Sequence, residues 1–370
     1  MRSWVKKIRE DVNSEFTQIP EVLNKSYLPS LDGLRAISIT IVLLAHLYKQ
    51  YVSQLDLNPI IRHGYLGVYI FFVISGFLIT TLLLKEKVNT KNISLKNFYI
   101  RRFFRILPLI VLYVAAIFVL NKMFQLEIPS VVFFGAIFFV ANLNYFNRTE
   151  LIGHFWSLAY EEQYYLFFPF LLKKSHKLFT IFILSALVIF PVFIFVVGVF
   201  NVPLGPYLKH AFHYTAQFIP LLIGSLFALL LFKKKEFFNF FKKHKTLMNV
   251  VLLILIFGLN IDKEDDVFLH YIKTIKNVFV CTCIGLLIVL NLEKKGKDYF
   301  YVLLNTGVLR KIGVLSYSLY IWQQLFTVLH PKLPAFFSSF PLNLVLLFVV
   351  SFVSYYFYEK KFLKLKNRFK

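Results

Sequence analysis

Gly64-Tyr65-Leu66-Gly67-Val68-Tyr69-Ile70-Phe71-Phe72-Val73-Ile74-Ser75-Gly76-Phe77-Leu78-Ile79-Thr80-Thr81-Leu82-Leu83-Leu84 runs for 21 residues without a charged side chain and is closed by Lys85-Glu86-Lys87. At about 1.5 Å of rise per residue, a helix of that length covers about 30 Å, the thickness of a bilayer's hydrocarbon core. The rest of the chain repeats this character. Of 370 residues, 58% are hydrophobic and 16% charged, with 45 Phe and 21 Tyr, and the mean hydropathy is +0.65. Soluble domains carry about a quarter charged residues. A soluble globular protein, a disordered chain, collagen and a coiled coil are therefore excluded, and two cysteines rule out a disulfide scaffold. Cys281 and Cys283 sit two apart in an apolar run with no His or acidic partner, which reads as packing rather than metal binding.

Nine further stretches have the length and polarity of spans: about Ala36–Tyr51, Phe103–Leu120, His154–Leu172, Leu178–Phe200, Ala211–Phe232, Leu247–Asn260, Tyr271–Leu292, Ile312–Leu329 and Pro341–Tyr358. Pro129–Phe146 is apolar too, but short and ending in the polar run Asn142, Asn144, Asn147. The charges arbitrate. Lys and Arg number 42 against 19 Asp and Glu, a net +23, and they fall in short clusters between apolar runs. That is the pattern of cytoplasmic loops, not of nucleic-acid binding. With Pro129–Phe146 re-entrant, the basic side receives Arg2, Lys6, Lys7, Arg9, Lys85–Arg102, Lys173–Lys177, Lys233–Lys245, Glu293–Lys311 and the stretch from Lys360. The other side receives Asn121–Gly153, the acidic loop Asp262-Lys263-Glu264-Asp265-Asp266 and Pro331–Phe340.

The expectation is an all-α integral membrane protein with about ten transmembrane helices, a re-entrant segment at 129–146 and both termini cytoplasmic. Non-helical backbone at that depth needs protein or a wet cavity around it, so a site open to the outer side is expected. The first 26 residues lack the apolar core of a signal peptide. Residues 1–30 read as a cytoplasmic arm, 31–360 as one transmembrane domain and 361–370 as a basic cytoplasmic tail. The Phe- and Lys-rich composition suits a bacterial plasma (inner) membrane.

Ionisable residues inside spans are costly and face the bundle interior. Arg35 and His46 are eleven apart, about 16 Å of rise and within about 20° of one helical face. Arg35 is readable as a membrane-edge anchor, and His46 as an interhelical hydrogen-bond partner or a functional base. Arg101, Arg102 and Arg105 share a helix end where bidentate donors suit a polyphosphate, or equally a lipid headgroup. His154, Ser157 and Glu161 fall on one stripe, with Glu162 about 100° away. Two adjacent carboxylates within an apolar helix point to a structural ion pair with an arginine or His46, or to a site. Gly64, Gly67, Ser75 and Gly76 are small residues at helix-packing spacings.

Leu31-Asp32-Gly33-Leu34-Arg35-Ala36 with His46, Phe71–Ile79, Phe98–Pro108, Trp156–Tyr165 and Ser316–Trp322, in that order, resemble the membrane acyltransferase family 3 over about residues 27–330. The resemblance implies a ten-helix membrane enzyme that takes an acyl group, usually acetyl, from acyl-coenzyme A inside. It hands that group to a hydroxyl of a glycan or other acceptor, often on the outer face, as in modification of O-antigen, lipopolysaccharide or capsule. It implies His46 as the catalytic residue and maps the family's remaining motifs onto Arg35, Arg101, Arg102, Arg105, Glu161 and Glu162. Many members follow the last tryptophan with a histidine; here Trp322 is followed by Gln323 and Gln324. Many also carry a hydrolase-like extracytoplasmic domain after the membrane part, whereas this sequence stops at Lys370.

The mechanism expected from these readings uses His46 as general base, since an unperturbed pKa of about 6.5 leaves much of it neutral near pH 7. Glu161 or Glu162 orients the His46 ring or holds the acceptor. The four arginines bind the phosphates of acetyl-coenzyme A, and His154, Ser157, Tyr317, Trp322 and Gln323 contact the acceptor. Direct transfer and an acetyl-His intermediate both satisfy this chemistry. Expected partners are a glycan or lipid-linked saccharide and membrane lipids, with no nucleic acid and no metal. The competing readings are a proton-coupled transporter or lipid flippase, and an acyltransferase acting on a small molecule.

Overall fold

The computed structural model describes residues 15–25, 27–51, 64–146, 149–200, 214–233, 235–259, 267–296, 298–366 and 368–369. Arg2, Lys6, Lys7, Arg9, Asn147 and the acidic loop 262–266 lie outside these. Among the described residues there is no strand, and a helix stands at each of the ten apolar stretches. These are α1 (Pro29–Tyr51), α2 (Gly64–Thr90), α3 (Leu95–Phe124), α5 (Phe155–Lys174), α6 (His176–Val199), α7 (Ile219–Lys233), α8 (Lys245–Gly258), α9 (Val267–Leu290), α10 (Gly307–Thr327) and α11 (Leu342–Val353). A short α4 (Ser130–Ile137) follows α3, and α11 continues through a π turn, Ser354–Glu359, into α12 (Lys360–Lys366).

Local sequence sets the ends. Ser94 caps α3 by accepting the Asn97 amide, and Gln125 closes it in the left-handed conformation. Pro129 precedes α4, which runs only eight residues before Phe139 turns at a φ of 55°. A helix that short covers about 12 Å and cannot cross a bilayer.

Six of the described helical stretches are long and apolar enough to cross: Pro29–Tyr51, Gly64–Thr90, Leu95–Phe124, His176–Val197, Tyr214–Lys233 and Leu342–Lys366. The outer faces fit this solvent. Val188, Ile189 and Val192 on α6, and Phe348 and Phe352 on α11, are exposed in rows where water would leave large apolar patches. The chain is an all-helical, multi-pass membrane protein. α5 and α10 fall short on hydropathy because their middles carry Glu161, Glu162 and Gln163, and Gln323 and Gln324.

The chain divides into two compact units. One comprises the described residues within 1–34, 68–93 and 164–310. In it, α2 and α7 cross where neither has a side chain: a Cβ on Gly76 would stand 2.0 Å from the Leu221 carbonyl oxygen, and one on Gly224 2.1 Å from that of Val73. Contact this close lets backbones pack without a polar driving force. Ser225 seals the crossing, accepting from Thr80 (2.8 Å), bonding to Tyr164 and reaching the Leu221 carbonyl at 3.1 Å. Lys245 and Asp298 form a buried ion pair, and Asn249 and Asn291 pair amide to amide. Cys281 and Cys283 are buried here as free thiols.

The second unit comprises the described residues within 35–67, 94–163 and 311–370. It holds most of α1, α3, α4, the first half of α5, α10, α11 and α12. Its core is built on Ile39, Val42, Tyr113, Ile117, Ile321 and Leu347, all essentially solvent-free. Ser38 donates to the Gly67 carbonyl at 2.5 Å, tying α1 to the first turn of α2. Every residue singled out for function lies in this unit.

Candidate functional site

Two features of the second unit stand at opposite ends of α1. Toward its last turns opens a cavity of about 720 Å³, lined by His46, Lys49, Gln50, Thr149, Glu150, Gly153, Trp156, Gln324, Thr327, Val328 and Leu329. That is the size of a small-molecule site. His46 is half-buried in its wall, with Nδ1 2.8 Å from the Val42 carbonyl one turn back and Nε2 3.4 Å from the Gln324 amide nitrogen. A carbonyl can only accept, so Nδ1 carries the proton and Nε2 keeps its lone pair. Trp156 presents an aromatic wall, its ring 5.8 Å from that of Tyr65. Lys49 and Glu150 meet at 3.2 Å, both largely exposed, which contributes little stability.

Behind this wall is a tightly packed aromatic layer. His154 is 3% exposed, with its ring edge-on to Tyr113 at 5.5 Å and to Tyr320 at 5.5 Å. Neither of its ring nitrogens completes a hydrogen bond, although the Ile321 carbonyl lies close by. The Ser157 and Tyr320 hydroxyls are 2.5 Å apart, and Tyr320 also donates to the His154 carbonyl. Gln323 has no solvent exposure, and both polar atoms of its amide lack a hydrogen-bond partner. Such atoms cost free energy unless something joins them. Trp322 packs on Tyr113 at 5.3 Å and donates its indole N–H to Ser354 at 3.1 Å.

At the other end of α1 the four predicted arginines share one neighbourhood. Arg35, Arg101, Arg102 and Arg105 all lie within electrostatic reach of Lys366. Arg102 stands 3.9 Å from Glu161. Glu162 is close to both Arg102 and Arg105, and its Oε1 is buried without a hydrogen bond. Tyr317, from α10, donates to the Ile106 carbonyl on α3 at 2.8 Å.

The predicted residues therefore sort by depth. His46 is in the cavity wall, and Glu161 and Glu162 are with the arginines. Of the two roles the sequence reading offered Glu161 or Glu162, orienting the His46 ring or holding the acceptor, the first falls instead to the Val42 carbonyl and Gln324. Glu161 sits two helical turns past His154 and is drawn to the guanidinium of Arg102. Among the expected acceptor contacts, His154, Ser157, Tyr317, Trp322 and Gln323 are absent from the cavity lining. Their neighbours Gly153, Trp156 and Gln324 form the wall instead, because the helix rotation turns His154, Ser157, Trp322 and Gln323 behind it, while Tyr317 lies at the arginine end.

Sequence reasoning missed Trp156, Gln324 and Glu359. Glu359 is 6% exposed in the π turn and accepts from Ser318 at 2.5 Å and Ser354 at 3.4 Å. Within Tyr358-Glu359-Lys360-Lys361 it reads as a membrane-edge charge. Ser351 and Ser354, polar residues in an otherwise apolar run, were the available signal.

Comparison with known proteins adds a family. The model of the acyltransferase domain matches residues 28–359. A Staphylococcus aureus (strain COL) protein with the provisional name of O-acetyltransferase is 30% identical over 91% of this chain and 58% of its own length; its counterpart in strain MSSA476 matches identically. The O-acetyltransferase OatA of Staphylococcus aureus (strain NCTC 8325 / PS 47) is 36% identical over 46% of this chain and 30% of its own. The chain thus spans 58% or less of the length of these relatives. No solved structure matches at a significant level.

Proposed function

Because the chain belongs to the acyltransferase-domain family, we propose that it is a membrane O-acetyltransferase that moves an acetyl group from acetyl-coenzyme A to a hydroxyl of a glycan or lipid-linked saccharide. In this reading ten helices span a bacterial plasma membrane, both termini face the cytoplasm, and 129–146 dips in and returns. The arginine end of α1 then faces the cytoplasm and the cavity end faces out. Residues 31–360 act as the transmembrane catalytic domain.

The observation that carries the reading is the His46 cavity, with a basic Nε2 in its wall, Arg35 eleven residues and about 16 Å of rise back along the same helix, and Arg101, Arg102 and Arg105 of α3 sharing the neighbourhood of Arg35. Arg35, Arg101, Arg102 and Arg105 bind the donor's phosphates, where planar guanidinium groups match phosphate oxygens two at a time. The acyl arm extends between helices toward His46. His46 takes the acceptor's hydroxyl proton on Nε2 as the oxygen attacks the thioester carbonyl, and that proton leaves with the coenzyme A thiol. Trp156 offers an apolar face, and Gln50, Thr149 and Glu150 offer donors and acceptors, which together suit a hydroxyl-rich acceptor. Glu161 acts through Arg102, holding the donor site rather than the base.

The test is transfer or hydrolysis of labelled acetyl-coenzyme A by the purified protein. His46→Ala is expected to lower turnover by about 10²- to 10⁴-fold with donor binding retained, while Arg102→Ala weakens donor binding. A wild type that neither binds nor turns over the thioester overturns the proposal and makes a transporter or flippase the working reading.

A further inference from the structure

We propose that Gln324 is the oxyanion donor of the acyl transfer: its amide N–H, beside Nε2 of His46, takes the negative charge that develops on the thioester carbonyl oxygen. This rests on the acyltransferase reading above, but it concerns a residue to which the sequence reading gave no role.

Gln324 lies in the last turn of α10, 7% exposed, in the same cavity wall as His46. That end of the helix is held from two sides. The Thr327 hydroxyl donates to the Gln323 carbonyl at 3.0 Å, and the Asn343 amide to the Phe326 carbonyl at 2.8 Å. The Gln324 amide nitrogen is 3.4 Å from His46 Nε2. With the His46 proton on Nδ1, where the Val42 carbonyl accepts it at 2.8 Å, Nε2 offers a lone pair, so the amide turns its nitrogen toward the base and its oxygen away. The oxygen is buried there without a hydrogen bond, so the side chain bears a cost to keep its nitrogen at the base.

Two features suit that nitrogen to a developing charge. It carries two hydrogens, of which His46 takes one. The contact to His46, at 3.4 Å, is also longer than the about 2.9–3.0 Å of a strong N–H hydrogen bond, so it yields readily to an incoming hydroxyl. A hydroxyl that donates to Nε2 stands about 2.8 Å from it, and the carbonyl it attacks then lies where a group beside Nε2 reaches at about 3 Å, the distance an oxyanion donor needs. Lys49, Gln50 and Thr327, donors of the same wall, already serve Glu150, the Ser338 carbonyl and the Gln323 carbonyl. As the acceptor oxygen bonds to the carbonyl carbon, its proton passes to His46 Nε2 and the carbonyl π pair moves onto the oxygen that Gln324 holds. The pair then re-forms the C=O, the C–S bond breaks with its electrons on sulfur, and the Nε2 proton goes to the thiolate. A donor fixed by its helix before the charge appears stabilises it without reorganisation.

The experiment compares wild type with Gln324→Leu, which removes the donor at similar volume, and Gln324→Glu, which keeps the shape and replaces the donor with a carboxylate. The full chain in detergent is assayed for thiol release from acetyl-coenzyme A and for equilibrium binding of acetyl-coenzyme A. Binding of the trifluoromethyl ketone analogue, whose carbonyl adds a hydroxyl to form a stable tetrahedral alkoxide, is measured in parallel. Both variants are expected to lower kcat by about 10²- to 10³-fold and to lose about 10²-fold in affinity for the ketone, while acetyl-coenzyme A binds within about twofold of wild type. A kcat within about tenfold of wild type in Gln324→Leu overturns the inference. So does an equal loss of affinity for ketone and thioester, which marks a structural role. If wild type neither binds nor cleaves acetyl-coenzyme A, the acyltransferase reading itself falls.

Discussion

The two units differ in how much of their buried polarity is paired. In the first, Ser225 joins Thr80 and Tyr164, Asn249 pairs with Asn291, and Lys245 with Asp298, while Thr81, Gln217 and Asn305 each keep a buried oxygen without a hydrogen bond. Its α2–α7 crossing is closed by two glycines against backbone. In the second, His154, Gln323, Glu162 and Gln324 each bury at least one polar atom without a hydrogen bond. Satisfied polarity with backbone contact is how a membrane protein holds itself together. Unsatisfied buried polarity costs stability, and in the second unit it includes His154, Gln323 and Glu162, which the sequence reading singled out. We read the first unit as scaffold and the second as machinery.

That contrast breaks or sharpens under substitution. The largest effect is expected at the scaffold crossing. Gly224→Val forces side-chain atoms into the Val73 carbonyl and the Phe77 amide, which are backbone and cannot swing away. A loss of about 3 kcal/mol is expected, read as a lower unfolding temperature in detergent. An unchanged midpoint would show that the crossing is looser than described. The smaller effect, of opposite sign, is expected in the machinery. Gln323→Leu removes two unpartnered polar atoms at similar volume, so stability holds or rises by about 1 kcal/mol while acetyl transfer falls. A clear destabilisation would mean that the Gln323 amide is structural.

Much of the fold was legible because spans announce themselves: a helix stands at every apolar stretch, and the break in 129–146 was visible in its asparagines and length. α5 and α10 were legible for a different reason, since Glu161, Glu162 and the glutamines stand out in otherwise apolar helices. His46 and the arginines were legible as charges out of place. What periodicity could not supply was the partner across sequence. The 268 positions between Arg101 and Phe369 leave no local trace, and nothing in Tyr358-Glu359-Lys360 says that the helix widens into a π turn and buries that carboxylate. Nor does spacing fix helix rotation finely enough to distinguish Trp156 in the wall from Ser157 behind it.

The central claim is that donor and acceptor meet His46 from opposite ends of α1. It is tested most directly in sealed vesicles of known orientation, with labelled acetyl-coenzyme A supplied to one face and an impermeant saccharide acceptor to the other. The account predicts acetylated acceptor only when the donor is on the face of Arg101, Arg102 and Arg105, and none with His46→Ala. Equal product with the donor on either face would contradict it.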